Sequence, residues 1–147
     1  WSTRMMPHHL GMIRSQCRIV ASHGGGVATA LATIRLSPAR GRETELQEGL
    51  ANALEPLAQR PGLTGAHLLL TDTPRTSGPT TEQQIRGKAG AADWIVLLSG
   101  YDADAVERTL GEELSPSALA AAGARDDSVA GHCRLGFTMT PGDIGST

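Results

Sequence analysis

The sequence predicts an α+β fold, an antiparallel sheet with its helices on one face. Three observations predict it. Short apolar runs of strand length recur along the chain, two stretches of helical periodicity stand between them, and Gly or Pro marks most of the junctions. The 147 residues suit one ordinary domain, and 39% hydrophobic with 19% charged residues is a globular composition. Mean hydropathy is -0.17, and no run approaches the roughly 18 apolar residues of a membrane helix.

The first strand is expected over Met12 to Ser22, with Cys17, Ile19 and Ala21 on one face and Gln16, Arg18 and Val20 on the other. His23-Gly24-Gly25-Gly26 breaks the chain, and Val27 to Leu36 is a second strand closed by Ser37-Pro38. From Glu43 to Gln59, Leu46, Leu50, Leu54 and Leu57 form the single stripe of a 3.6-period helix. Glu43, Glu45 and Glu48 suit the positive end of its dipole, and Pro56 is expected to kink or end its last turn before Pro61-Gly62. Leu63 to Asp72 reads as a strand. Thr73 to Gly90 is a long polar connection, with one helical turn expected at Thr81 to Arg86.

Ala92 to Gly100 is a strongly apolar strand, followed by a helix over Asp102 to Leu114. Ser115-Pro116 opens a further short helix, with Ser at the N-cap and Pro in the first turn. Gly131 to Thr140 alternates as a last strand, Cys133, Leu135, Phe137 and Met139 against His132, Arg134, Gly136 and Thr138. Without the opening strand, the order is strand, helix, strand, strand, helix, strand. That order implies the ferredoxin-like βαββαβ arrangement, with helices on one face of an antiparallel sheet.

Gln16-Cys17-Arg18-Ile19 and His132-Cys133-Arg134-Leu135 match in pattern, and each leads into a strand. The match suggests a repeat, in which residues 1–22 are the last strand of a truncated upstream copy. Residues 23–26 are then a glycine-rich linker, 27–140 the domain and 141–147 a tail. A chain beginning at Trp1 fits that expectation.

Leu36-Ser37-Pro38 to Glu43, the leucine-striped helix and Arg60-Pro61-Gly62-Leu63-Thr64-Gly65-Ala66-His67-Leu68-Leu69 resemble the dimeric α/β-barrel superfamily. That group includes antibiotic-biosynthesis monooxygenase-like and EthD-like domains. The opening residues, Trp1 to Arg18, resemble the end of an EthD-like domain in bacterial proteins that carry two such domains in tandem. The resemblance implies that two sheets pair, between copies or tandem domains, so that their helix-free faces enclose a pocket. Its motifs are structural, and no catalytic signature comes with it. Known activities in the superfamily include cofactor-free oxygenation, isomerisation and haem degradation, so fold alone does not give the reaction.

Composition narrows the partners. Formal charge is -2, and the few aromatics, Trp1, Trp94, Tyr101 and Phe137, argue against a base-stacking nucleic-acid platform. Arg4, Arg14, Arg18, Arg35, Arg40 and Arg42 all precede the first acid, but Lys88 is the only lysine, and a phosphate track is not indicated. Cys17 and Cys133 lack zinc spacing and are too few for a disulfide scaffold, so a reduced, cytoplasmic setting is expected. His23-Gly24-Gly25-Gly26 resembles an esterase oxyanion turn, yet Leu97-Leu98-Ser99-Gly100 provides no nucleophile elbow. His8 and His9 are adjacent and point apart in regular structure, a poor metal pair, and no metal or other cofactor is expected.

Strand parity gives the candidate site. If the apolar faces pack on the helices, the opposite faces carry Thr33, Arg35, His67, His132 and Arg134, with Arg18 from the opening strand. His67 and Arg134 are the candidate catalytic pair, a general base and a holder of an anionic oxygen. Thr33, Arg35, His132, Arg18 and Trp94 are the candidate pocket-lining residues, although a core place with its N–H satisfied suits Trp94 better. The function expected is a small-molecule site for cofactor-independent oxygenation or isomerisation of an aromatic or polyketide-like substrate. Two alternatives stand beside it: a non-catalytic protein that uses the barrel only to associate, and a haem protein with His67 or His132 as axial ligand.

Overall fold

The computed structural model describes residues 16–71 and 94–137. Eight elements follow one another: β1 (Cys17–Gly24), β2 (Ala30–Leu36), α1 (Glu43–Ala58), β3 (Leu63–Thr71), β4 (Trp94–Gly100), α2 (Ala103–Gly111), α3 (Pro116–Ala122) and β5 (Val129–Arg134). The helical turn expected at Thr81 to Arg86 and the pair His8 and His9 fall outside the described residues.

The five strands form one sheet in the order β1-β3-β4-β2-β5, and every neighbouring pair is antiparallel. β2 and β3 therefore run the same way with β4 between them, joined by α1. The arrangement departs from a plain four-stranded βαββαβ sheet in two respects. β1 adds an edge strand beside β3, and two helices stand between β4 and β5. The expected glycine linker is partly strand: β1 runs through His23 and Gly24, and Gly25 N–H still donates to Thr64 O at 2.9 Å.

Alternation builds the core. Ala30, Ala32, Ile34 and Leu36 of β2 and Trp94, Val96 and Leu98 of β4 are buried on one side. They meet Leu46, Leu50, Leu54 and Leu57, the stripe of α1, together with Val106 and Leu110 of α2 and Leu119 of α3. Pro56 lies inside the last turn and does not end the helix, which continues to Ala58. α1 packs over β1 and β3, and α2 over β2 and β4.

The helix ends are fixed by side chains. Asp102 caps α2, accepting from Asp104 N–H at 2.9 Å and Ala105 N–H at 3.4 Å. Asp102→Ala is expected to cost about 1 kcal/mol in chemical denaturation. Ser115 caps α3 through Ala118 N–H, as the Ser-Pro pair predicts. Arg42 joins two helices: its guanidinium pairs with Glu45 (2.6 and 2.8 Å) and donates to Ala121 O (3.1 Å), at the negative end of α3. The hydrogen bond from Arg42 holds the Glu45 carboxyl below the usual carboxylate range. The stability from this pair is therefore present above the unfolded carboxylate pKa and is lost as pH falls through the folded one.

Gly62 ties the turn before β3 to the start of α2. Its φ of +92° suits glycine, its N–H donates to the Tyr101 hydroxyl at 2.9 Å, and its carbonyl accepts from Tyr101 and Asp102 N–H. A Cβ there would sit 2.5 Å from the Ala105 methyl. Among the described residues, no helix is long and apolar enough to cross a membrane.

Candidate functional site

All three helices lie on one side of the sheet, and the other side is bare among the described residues. Register assigns each side chain to a face, because paired residues in a sheet point the same way. One row across the bare face reads Ser22, His67, Leu97, Thr33, Gly131. The next reads Ile19, Leu69, Ile95, Arg35, Val129. On the other flank, Gly65, Ser99, Leu31 and Cys133 are in line.

Thr33, Arg35 and His67 are thus brought to one face, as parity predicts. His67 and Arg35 lie two strands across and two residues along from one another, roughly 12 Å between backbones at ordinary sheet spacings. His132 and Arg134 are not with them. They pair with Ala32 and Ala30, whose methyls point toward the helices, so both lie on the opposite side of the sheet from His67. Arg18 pairs with Leu70 and is also on the helix side. Trp94 pairs with Leu36 and Leu70 and is 6% exposed, a core residue rather than a pocket wall.

For His132 and Arg134 the physical reason is the missing cover over β5. Parity reasoning turns the apolar side of each strand toward the helices, but no helix covers β5, whose helix-side residues Ala130, His132 and Arg134 are exposed. Its apolar residues face the bare side instead: Val129 and Cys133 there match Ile19 and Cys17 at the opposite edge. The two tetrads that match in sequence occupy the two edges of the sheet with their cysteines on the same face.

Three residues that parity did not single out join His67. Ser22 Oγ lies 2.9 Å from His67 Nδ1. On the other flank of the ring, a Cβ built on Gly65 would meet His67 Nε2 and Ser99 Oγ, each at 3.0 Å, so the imidazole lies over the glycine toward the Ser99 hydroxyl. Ser99 is held by Thr64 Oγ1 (3.1 Å) and donates to Gly65 O (3.3 Å). Ser99 shares the parity of Ile95 and Leu97, so its face was readable from sequence, while its place near His67 depends on the β3–β4 register. The face of Ser22 was not readable, because a bulge at Val20 shifts the β1 register between Ile19 and Ala21.

The ionisable side chains of the strands are basic ones, aside from cysteine. The five strands carry Arg18, His23, Arg35, His67, His132 and Arg134 and no Asp or Glu. On the bare face, Arg35 and His67 stand among Leu31, Leu69, Ile95 and Leu97, all half-buried. Such a surface can take an apolar ring and hold an acidic oxygen at its edge. A shallow depression of about 580 Å³ lined by Ala39, Ala124, Arg125, Asp126 and Asp127 lies away from these residues.

No protein-family model and no curated protein matches the chain. Among solved structures, a protein described as a major regulator of staphylococcal pathogenesis is similar, with a TM-score of 0.56 and 12% identity. The alignment covers 84% of this chain and 70% of that one. At that identity the likeness is one of fold: a small α+β protein built on an antiparallel sheet.

Proposed function

We propose that the chain is a ferredoxin-like α/β-barrel protein in which the bare sheet face binds a small aromatic or polyketide-like acid, enclosed by pairing with a second copy or a tandem domain. The single observation that carries the reading is the make-up of that face. An antiparallel sheet that meets water on one side normally carries polar residues there. Here Leu31, Leu69, Ile95 and Leu97 fill its middle, and Ile19 and Val129 at its edges are 61% and 56% exposed. An apolar face of this kind calls for a second layer.

The ferredoxin-like part of the reading is supported by β4 lying between β2 and β3, with β5 beyond β2. Within the enclosed space, His67 is the candidate general base, and Arg35 is the cation that holds the ionised oxygen. Arg35 takes the part that parity reasoning gave to Arg134. The chemistry this pair supports is proton removal from a phenol or enol, the first step of a cofactor-independent oxygenation or isomerisation.

The test is a binding panel of phenolic ligands against the full chain and its His67→Ala and Arg35→Ala variants. Each variant is expected to weaken binding by roughly tenfold or more, about 1.4 kcal/mol. Unchanged binding across the panel in His67→Ala overturns the assignment and leaves the reading of a barrel that only associates.

A further inference from the structure

His67 alone does not define which ring nitrogen meets a ligand, and the local backbone does. β1 is an edge strand in which Cys17 and Ile19 point to the bare face, so unbroken alternation would send Ser22 to the helix side. The bulge prevents that: Val20 and Ala21 both turn toward the core, and Ser22 comes back to the bare face opposite His67. Bulges that re-aim one side chain are common beside functional sites. The residue re-aimed here makes a 2.9 Å side-chain hydrogen bond to Nδ1.

The other nitrogen is left open. Among the described residues no hydrogen bond reaches His67 Nε2, while the glycine at position 65 gives the ring room to lie flat toward Ser99. With the proton on Nδ1 and donated to Ser22 Oγ, the lone pair lies on Nε2, the nitrogen open to the bare face. Which nitrogen of a histidine reacts is set by the bond that the other one makes.

From this juxtaposition we infer that Ser22 is a positioning residue: its hydroxyl fixes the tautomer and orientation of His67 so that Nε2, beside Ser99, accepts the proton of a bound phenol or enol. The inference rests on the reading of the bare face as the ligand site. In the proton transfer, the ligand O–H bond breaks, an Nε2–H bond forms, and the resulting imidazolium keeps its Nδ1–H on Ser22 while the ligand stays bound as its anion.

The experiment uses the full chain, with ring ¹⁵N NMR of His67 while the imidazole is neutral and binding of para-nitrophenol, whose ionised form absorbs visible light. The wild type is expected to hold the Nδ1–H tautomer and to shift the probe toward its anion. Ser22→Ala is expected to pass to the Nε2–H tautomer and bind the probe roughly tenfold more weakly. Ser22→Thr, which keeps the hydroxyl, is expected to restore both. An Nε2–H tautomer in the wild type, or one unchanged by Ser22→Ala, overturns the inference. If His67→Ala loses the probe while Ser22→Ala changes neither readout, the role of Ser22 fails and the site stands. If neither variant alters binding, the site reading fails and the inference with it.

Discussion

Leu98→Ala is expected to lower the unfolding free energy by about 3 kcal/mol, inside the roughly 2–5 kcal/mol range for emptying a packed leucine site. Leu98 is fully buried at the centre of β4, in line with Ala66 and Ala32. Small neighbours on either side leave the leucine as the main filler of the space between sheet and helices, and alanine methyl groups cannot move in to close it. Urea denaturation followed by far-UV circular dichroism checks this, the midpoint falling with little change in slope. A midpoint unchanged by the substitution would mean that β4 does not carry the core.

One residue earlier, Leu97→Glu is expected to have a contrasting outcome. Leu97 points to the bare face between His67 and Thr33 and is only half-buried, so a carboxylate there stays hydrated in a lone chain and the fold survives. In a paired sheet the same carboxylate would be buried. The cost of about 3 kcal/mol or more corresponds to roughly 100-fold weaker association. Sedimentation velocity over a concentration series is expected to show the wild type pairing and the variant monomeric. A wild type that is monomeric throughout would remove pairing of copies from the account.

These two leucines also show what was legible in the sequence. In β2 and β4, each flanked by strands on both sides and covered by helices, alternation alone separates Ile34 from Thr33 and Leu98 from Leu97. The stripe Leu46, Leu50, Leu54, Leu57 was equally readable, because 3.6-residue periodicity in a surface helix has one solution. The edge strands were not readable in this way. Parity says which residues of β5 share a face, but only the register with β2 says which face it is, and Cys133 and Val129 point away from the helices. His132 and Arg134 were assigned to the wrong side for that reason, and Arg18 because its face is set by the register of β1 with β3.

The Ser22 contact was hidden more deeply. A single extra residue in β1 reverses the parity of everything beyond it, and nothing in Ile19-Val20-Ala21 announces a bulge. Trp94 was ambiguous because a tryptophan suits both a core and a pocket, and its pairing with Leu36 and Leu70 decides for the core. Arg35 and His67 were legible, since both lie in strands whose buried sides are unmistakable.

The bare sheet face is where a small acidic ligand is expected to bind. Methyl chemical-shift mapping of the full chain during titration with para-nitrophenol tests it most directly. The methyls of Leu31, Leu69, Ile95 and Leu97 are expected to move together with the His67 ring, while those of Leu46, Leu54 and Leu98 stay in place. Shifts confined to the helix side, or none at saturating probe, would contradict it.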